Sequence, residues 1–259
     1  MHNNESLASK TIIVTRPLTQ ARNICTLLER YQATVVHFPV ISITPANNIS
    51  AAKKVLSDFS NYNLIIFISA NAVHYAMSLA KELGLSFKND QIAVIGPATK
   101  TALETYGYHV GIIPQNGYTS EALLSHPSLQ KIDGHKIIIV RGCGGREYLR
   151  QALESRGATI DYAEVYQRQL PKQRNTINLS KLSKKNSVIL IYSKESLQNL
   201  WALCNPEEQA WIKCVSIITG GQRIANSIDS VVSTKNSIIA ENPTDKAMLE
   251  AVLNWAKEN

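Results

Sequence analysis

The sequence predicts an α/β protein with two similar doubly wound domains, each built on a parallel five-stranded sheet. Three observations predict it. The chain repeats itself at an offset of about 125 residues. Each copy alternates short Val/Ile-rich runs with segments whose apolar residues fall at helical spacing. The short runs are apolar at successive positions, as in strands covered by helices on both faces.

The repeat consists of several matches in the same order. TIIVTR (11–16) matches KIIIVR (136–141), and ATVVHFPV (33–40) matches ATIDYAEV (158–165). NLIIFISANAVHYAMSLA (63–80) lies over SVILIYSKESLQNLWALC (187–204), and IAVIGPATKTAL (92–103) over VSIITGGQRIAN (215–226). YTSEALL (118–124) lies over PTDKAML (243–249).

Taken in order, strands are expected near 12–15, 34–37, 64–68, 92–95 and 110–113. Their counterparts are expected near 137–140, 159–163, 188–192, 215–218 and 231–239. Between them QARNICTLLERY, ANAVHYAMSLAKELG, ATKTALETYG and REYLRQALESRG read as amphipathic helices, several stopping at glycine. HFPVISI (37–43) and EVYQRQL (164–170) extend the second strand of each copy and suit a two-stranded linker. If the chain crosses between domains there, one domain comprises the two ends of the chain and the other its middle. A plain tandem satisfies the periodicity equally.

Composition narrows the function. Of 259 residues, 44% are hydrophobic and 18% charged, as in a soluble globular protein. No run reaches the roughly 18 consecutive apolar residues of a membrane span. The opening MHNNESLASKT lacks the apolar core of a secretory signal, so the cytoplasm is the expected compartment. Cys25, Cys143, Cys204 and Cys214 form no C-x-x-C pair and read as reduced thiols. The histidines show no metal-ligand spacing, so no metal site is expected. The net charge of +7 suits an anionic partner. Its basic residues are scattered rather than clustered in runs with aromatics, so a small polyanionic metabolite fits them as well as nucleic acid does.

In IIIVRGCGGREYL (137–149) a strand ends in an arginine and three glycines follow. Gly142 and Gly144 fit a dinucleotide loop, but Glu147 stands at its sixth position and no G-K-[ST] follows. The loop therefore reads as a sharp turn rather than a phosphate cradle. Strand ends are where doubly wound sheets bind ligands. The residues there recur in the two copies: Arg16 with Arg141, Ser69 with Ser193, and Thr99 opposite Gln222. Each Ser or Thr has a second role open to it, capping the following helix. No Ser-His-Asp order and no paired carboxylates stand out. The side chains expected at the site are suited to positioning a substrate that is itself reactive.

VTRP, FPVISI, FISANAV, VIGPATKTAL, GYTSEALL, VRGCGGREYL and VYQR occur in this order. Together they resemble the uroporphyrinogen-III synthase family, from about residue 11 to the end. The resemblance implies the swapped arrangement: residues 1–36 with 171–259 as one domain, 43–163 as the other, 37–42 and 164–170 as linkers, and a cleft between. It implies an enzyme without a cofactor, acting on a linear tetrapyrrole polycarboxylate; a monomer is expected, with neither nucleic acid nor membrane as a partner. Hydroxymethylbilane would lose water, and its last pyrrole ring would be inverted through a spiro intermediate as the macrocycle closes. The alternative left open by the domain pattern is a non-catalytic two-domain binder of a small polyanion.

Carried over residue by residue, Tyr166 of VYQR is the candidate for assisting departure of the hydroxyl. Thr99, Ser69 and Ser193 are candidate substrate-binding hydroxyls at strand-to-helix turns. Arg16, Arg141 and Arg146 would bind substrate carboxylates or anchor loops. Gln222 stands where the family often has a threonine in the second copy.

Overall fold

The computed structural model of the protein describes residues 6–87, 92–228 and 237–259. In chain order its first elements are β1 (Thr11–Val14), α1 (Leu18–Arg30), β2 (Thr34–His37), β3 (Ser42–Pro45) and α2 (Ile49–Ser57). Next come β4 (Leu64–Phe67), α3 (Ala70–Leu83), β5 (Ile92–Val94), α4 (Pro97–Glu104) and α5 (Ser120–Leu124). They are followed by β6 (Lys136–Gly142), α6 (Tyr148–Glu154) and β7 (Thr159–Gln169). The last are β8 (Ser187–Ile191), α7 (Lys194–Leu203), α8 (Pro206–Ile212), β9 (Ser216–Thr219), α9 (Gln222–Ala225), β10 (Ser237–Ile239) and α10 (Asp245–Glu258).

The chain divides into two compact units: residues up to Ser42 together with Gln169–Asn259, and Ile43–Arg168. The first holds a sheet of order β10-β9-β8-β1-β2, and each neighbouring pair is parallel. Helix α1 turns Ala21, Ile24 and Leu28 onto one buried stripe, and α10 does the same with Met248, Val252 and Trp255. Both stripes pack with Ile12, Val14, Val188, Leu190 and Ile218. The alternate strand residues Ile13, Ile189 and Ile217 are buried as well. That two-sided burial is why these strands read as unbroken apolar runs. The far edge expected at 231–239 begins, among the described residues, at Ser237; 231–236 lie outside them.

The second unit holds a sheet of order β3-β7-β6-β4-β5. Its strands divide their side chains by parity. Ile65 and Phe67 of β4 with Ile138 and Val140 of β6 face one core, built with α3 residues Val73, Ala76, Met77 and Ala80. Leu64, Ile66, Ile137 and Ile139 face the other, with Leu123, Leu149 and Leu153. Helix α3 starts at a serine cap and stops at Gly84, whose left-handed φ of 66° ends the helix.

One strand moved. The run at 110–113 forms only an isolated parallel bridge, Ala93 to Ile112, and is not a sheet strand. The fifth place is taken by β3, at the opposite edge beside β7. Periodicity marks an apolar run as extended, but it does not reveal which segment gains a full ladder of hydrogen bonds. β7 runs unbroken from Thr159 to Gln169, so most of the segment expected as a second linker is sheet strand.

Candidate active site

The second sheet reverses its winding between β4 and β6: β5 lies outside β4, and β7 lies outside β6. Ligands of open parallel sheets sit beyond the carboxyl ends of the strands at such a reversal. Ser69, just after β4, and Gly142, the last residue of β6, stand at this point.

A β-bulge brings Tyr166 to the same place. Along β7, Ile160 and Tyr162 pack into one core, and Ala163 and Val165 into the other. Strand parity would send Tyr166 to the side of Tyr162. The register slips opposite Arg141/Gly142: Arg141 pairs with Glu164, and Gly142 pairs with Tyr166 rather than Val165. The extra residue turns Tyr166 onto the face of Val165 and α3, where it is 3% exposed.

Three neighbours then fix it. Its ring stacks on Tyr75 with centroids 5.8 Å apart and planes 29° from parallel. The Tyr75 hydroxyl donates to the Ile43 carbonyl at 2.8 Å, which ties α3 to β3. A Cβ on Gly142 would lie 2.6 Å from the Tyr166 ring, so only glycine leaves room for it. The Tyr166 hydroxyl lies 3.2 Å from Ser69 Oγ, and Ser69 Oγ accepts the Ala72 amide proton at 3.1 Å as the cap of α3.

The glycine-rich loop is closed by its own strand. Arg141 is buried, and its guanidinium folds back over the turn. Nε donates to the Gly142 carbonyl at 3.2 Å, Nη2 donates to the Gly144 carbonyl, and Nη1 meets Glu147 Oε1 at 3.1 Å. Gly145, with a left-handed φ of 107°, leaves the guanidinium its place; a Cβ there would come within 2.8 Å of it. Arg141 lies over the Tyr162 ring at 4.4 Å, and Tyr162 donates to Glu147 Oε2 at 2.7 Å. That hydroxyl, with Arg141, holds the Glu147 carboxyl below its ordinary pKa. Burial and the same Glu147 bond push the Tyr162 phenol up to about 12. Glu164 accepts the Gly144 amide proton at 3.1 Å. Two carboxylates therefore face the loop where a phosphate cradle would need open amides.

The other expected residues are placed as follows. Thr99 is buried in the first turn of α4, three residues past its Gly96 cap. In the first unit Gly221 caps α9, so the same count reaches Ile224. Gln222 is thus not the positional equivalent of Thr99; it is exposed and donates to Asn226 Oδ1 at 2.8 Å. Ser193 caps α7, accepting the Ser196 amide proton at 3.0 Å. Arg16 donates to Asp245 Oδ1 at 2.9 Å and to the Pro243 carbonyl at 2.8 Å, and lies 3.6 Å over the Tyr192 ring. Both strand-end arginines are therefore loop anchors. Arg146 is exposed and makes no ion pair among the described residues.

The structure brings Tyr166 and Ser69 together. The arrangement offers a clamped phenol, a serine hydroxyl at a helix start, and amide donors. The roles of Tyr75, Gly142 and Tyr162 escaped the sequence reading. For Gly142 the signal is the pairing of a glycine strand end with an aromatic one; Tyr75 carries no such signal in the sequence.

The comparisons with known proteins converge on one family. A sequence profile described as uroporphyrinogen-III synthase HemD matches residues 23–250. The chain belongs to the uroporphyrinogen-III synthase family. Among family members it is 28% identical to the uroporphyrinogen-III synthase of Escherichia coli K12, over 93% of this chain and 99% of that one. It is 25% identical to the uroporphyrinogen-III synthase of Synechococcus elongatus, over 98% of each chain. The fold matches a uroporphyrinogen III synthase crystal structure from Thermus thermophilus, a triple mutant, with a TM-score of 0.60 over 96% of this chain and 100% of that one, at 16% identity. The Helicobacter pylori enzyme gives 0.60 over 95% and 99%, also at 16% identity.

Proposed function

We propose that this protein acts as a uroporphyrinogen-III synthase, a cyclising lyase that converts hydroxymethylbilane to the III isomer. Membership of the family supports the reaction. The observation that carries its assignment to atoms is the Tyr166–Ser69 hydroxyl pair, 3.2 Å apart at the winding reversal of the second sheet.

Tyr166 donates its phenolic proton to the substrate's terminal hydroxyl, which leaves as water. The electrons that expel it come from the pyrrole, giving an electrophilic azafulvene. The substituted carbon of the last ring attacks, and the spiro intermediate fragments. The inverted ring then closes the macrocycle and releases a proton, which balances the one taken from the phenol. The substrate supplies the nucleophile and the electron push. The protein's task is to hold one pose and deliver one proton. The amide groups at the starts of α3 and α4, with Thr99 in the first turn of α4, suit the substrate's carboxylates. Exposed Arg146 suits them too.

The test is to incubate the purified protein with hydroxymethylbilane and separate the product isomers. The III isomer should form well above the uncatalysed rate. Only the I isomer, at that rate, would overturn the reading. Tyr166→Phe should slow closure by about 10²- to 10⁴-fold, the range of a positioned general acid, with the fold intact. Unchanged turnover would return Tyr166 to a packing role.

A further inference from the structure

We propose that Ser69 is a positioning residue: its hydroxyl donates to the Tyr166 oxygen and so directs the phenolic proton of Tyr166 away from α3, toward the substrate. The inference rests on the role proposed above for Tyr166.

The geometry pairs the two hydroxyls, and either could donate; the direction proposed is the one that leaves the phenolic proton free. A hydroxyl has one proton and two acceptor lone pairs. Ser69 Oγ accepts the Ala72 amide proton at 3.1 Å on one lone pair, which leaves it the other lone pair and its own proton. The nearest described partner is the Tyr166 hydroxyl at 3.2 Å. Accepting from an amide polarises the Ser69 O–H and strengthens it as a donor. The amide sits in the first turn of α3, a 14-residue helix, whose positive end favours electron density on neighbouring oxygens.

The opposite orientation would point the Tyr166 proton at α3. With Ser69 donating, the Tyr166 proton is free, and the phenolate left by its transfer keeps a hydrogen bond from Ser69. The ring cannot turn to seek another partner. Tyr75 stacks on it, and it fills the space that a side chain at Gly142 would take. Ser69 does not touch the reacting atoms in this scheme; it acts through Tyr166. That differs from its capping role, which needs only an acceptor.

The difference can be measured. Ser69→Asp keeps an excellent helix cap but has no proton to donate near neutral pH. Ser69→Thr keeps both functions, and Ser69→Ala neither. Steady-state kinetics on hydroxymethylbilane and thermal melts should be recorded for the three variants, alone and on Tyr166→Phe. The threonine variant should stay within about threefold of wild type. The alanine and aspartate variants should lose about tenfold in kcat, the worth of one hydrogen bond, with KM little changed. The aspartate variant should keep the wild-type melting temperature. On Tyr166→Phe, neither substitution should lower kcat further.

If Ser69→Asp turns over like wild type while Tyr166→Phe is slow, the cap alone matters and the inference falls by itself. A raised KM at constant kcat would make Ser69 a substrate ligand and overturn it too. Full turnover by Tyr166→Phe would remove the proposed acid and this inference together.

Discussion

The ring of Tyr166 stands where a side chain on Gly142 would be, 2.6 Å from the position of its Cβ. One is the last residue of β6, the other its partner across the bulge in β7. A glycine that reads in sequence as part of a sharp turn is therefore the floor under the candidate acid.

Gly142→Ala should displace that ring. The φ of Gly142 is not in the left-handed region, so the backbone accepts alanine and the effect is steric. The expected result is a loss of roughly 1–3 kcal/mol in stability from overpacking. The larger loss is in kcat, about 10²-fold for a displacement near 1 Å. Kinetics and a denaturant melt on the same preparation check both.

Arg141 and Arg146 should behave oppositely. Arg141→Lys cannot reproduce the fork that holds the Gly142 and Gly144 carbonyls and Glu147 together. It should lower the melting temperature and loosen the loop, seen as faster proteolysis. Arg146→Ala should leave stability within about 0.5 kcal/mol, as for an exposed side chain away from the core. Its effect should fall on KM for the polycarboxylate and shrink as salt rises.

Ser193→Ala should cost about 1 kcal/mol through loss of the α7 cap. Among the described residues no tyrosine stands opposite the Ser193 oxygen; its hydroxyl meets Ser196 Oγ at 2.8 Å. Its substitution should therefore leave kcat within about threefold of wild type, in contrast to Ser69→Ala. A tenfold fall in kcat would show that Ser193 takes part in the reaction.

Acid stability of the first unit should depend on Glu208. Its side chain is fully buried and accepts two bonds from Arg174, at 2.6 and 2.7 Å, with further donors at the Asn205 and Leu179 amides. Burial raises its pKa, but those four donors outweigh burial and leave it below the ordinary value. A depressed carboxylate stabilises the fold fully above its unfolded pKa, about 4.3, and less as pH falls through the lower folded value. Melting temperature should therefore drop on acidification below about pH 4, and the drop should be shallower in Glu208→Gln. Arg174→Ala should cost about 3–5 kcal/mol at neutral pH, because it leaves a buried charge unpaired.

The repeat, the two α/β units with their largely parallel sheets and most of the helices are legible in the chain alone. These depend on local spacing: unbroken Val/Ile runs for strands covered on both faces, and 3.6-residue stripes such as Ala21, Ile24 and Leu28 on α1. Tyr166 and Ser69 are legible too, through motifs that resemble a family. What surrounds them is set by tertiary contacts. The one-residue slip at Gly142 cannot be read from parity, because a bulge is defined by the strand opposite. The fifth strand at 42–45 rather than 110–113 depends on which segment found a partner edge. Arg141 reads in sequence either as a ligand of a substrate carboxylate or as a loop anchor. It closes a loop because Glu147, six residues on, and the Gly144 carbonyl come back to meet it. Each of these outcomes follows from how the folded chain brings its segments back against one another, and no local pattern encodes that.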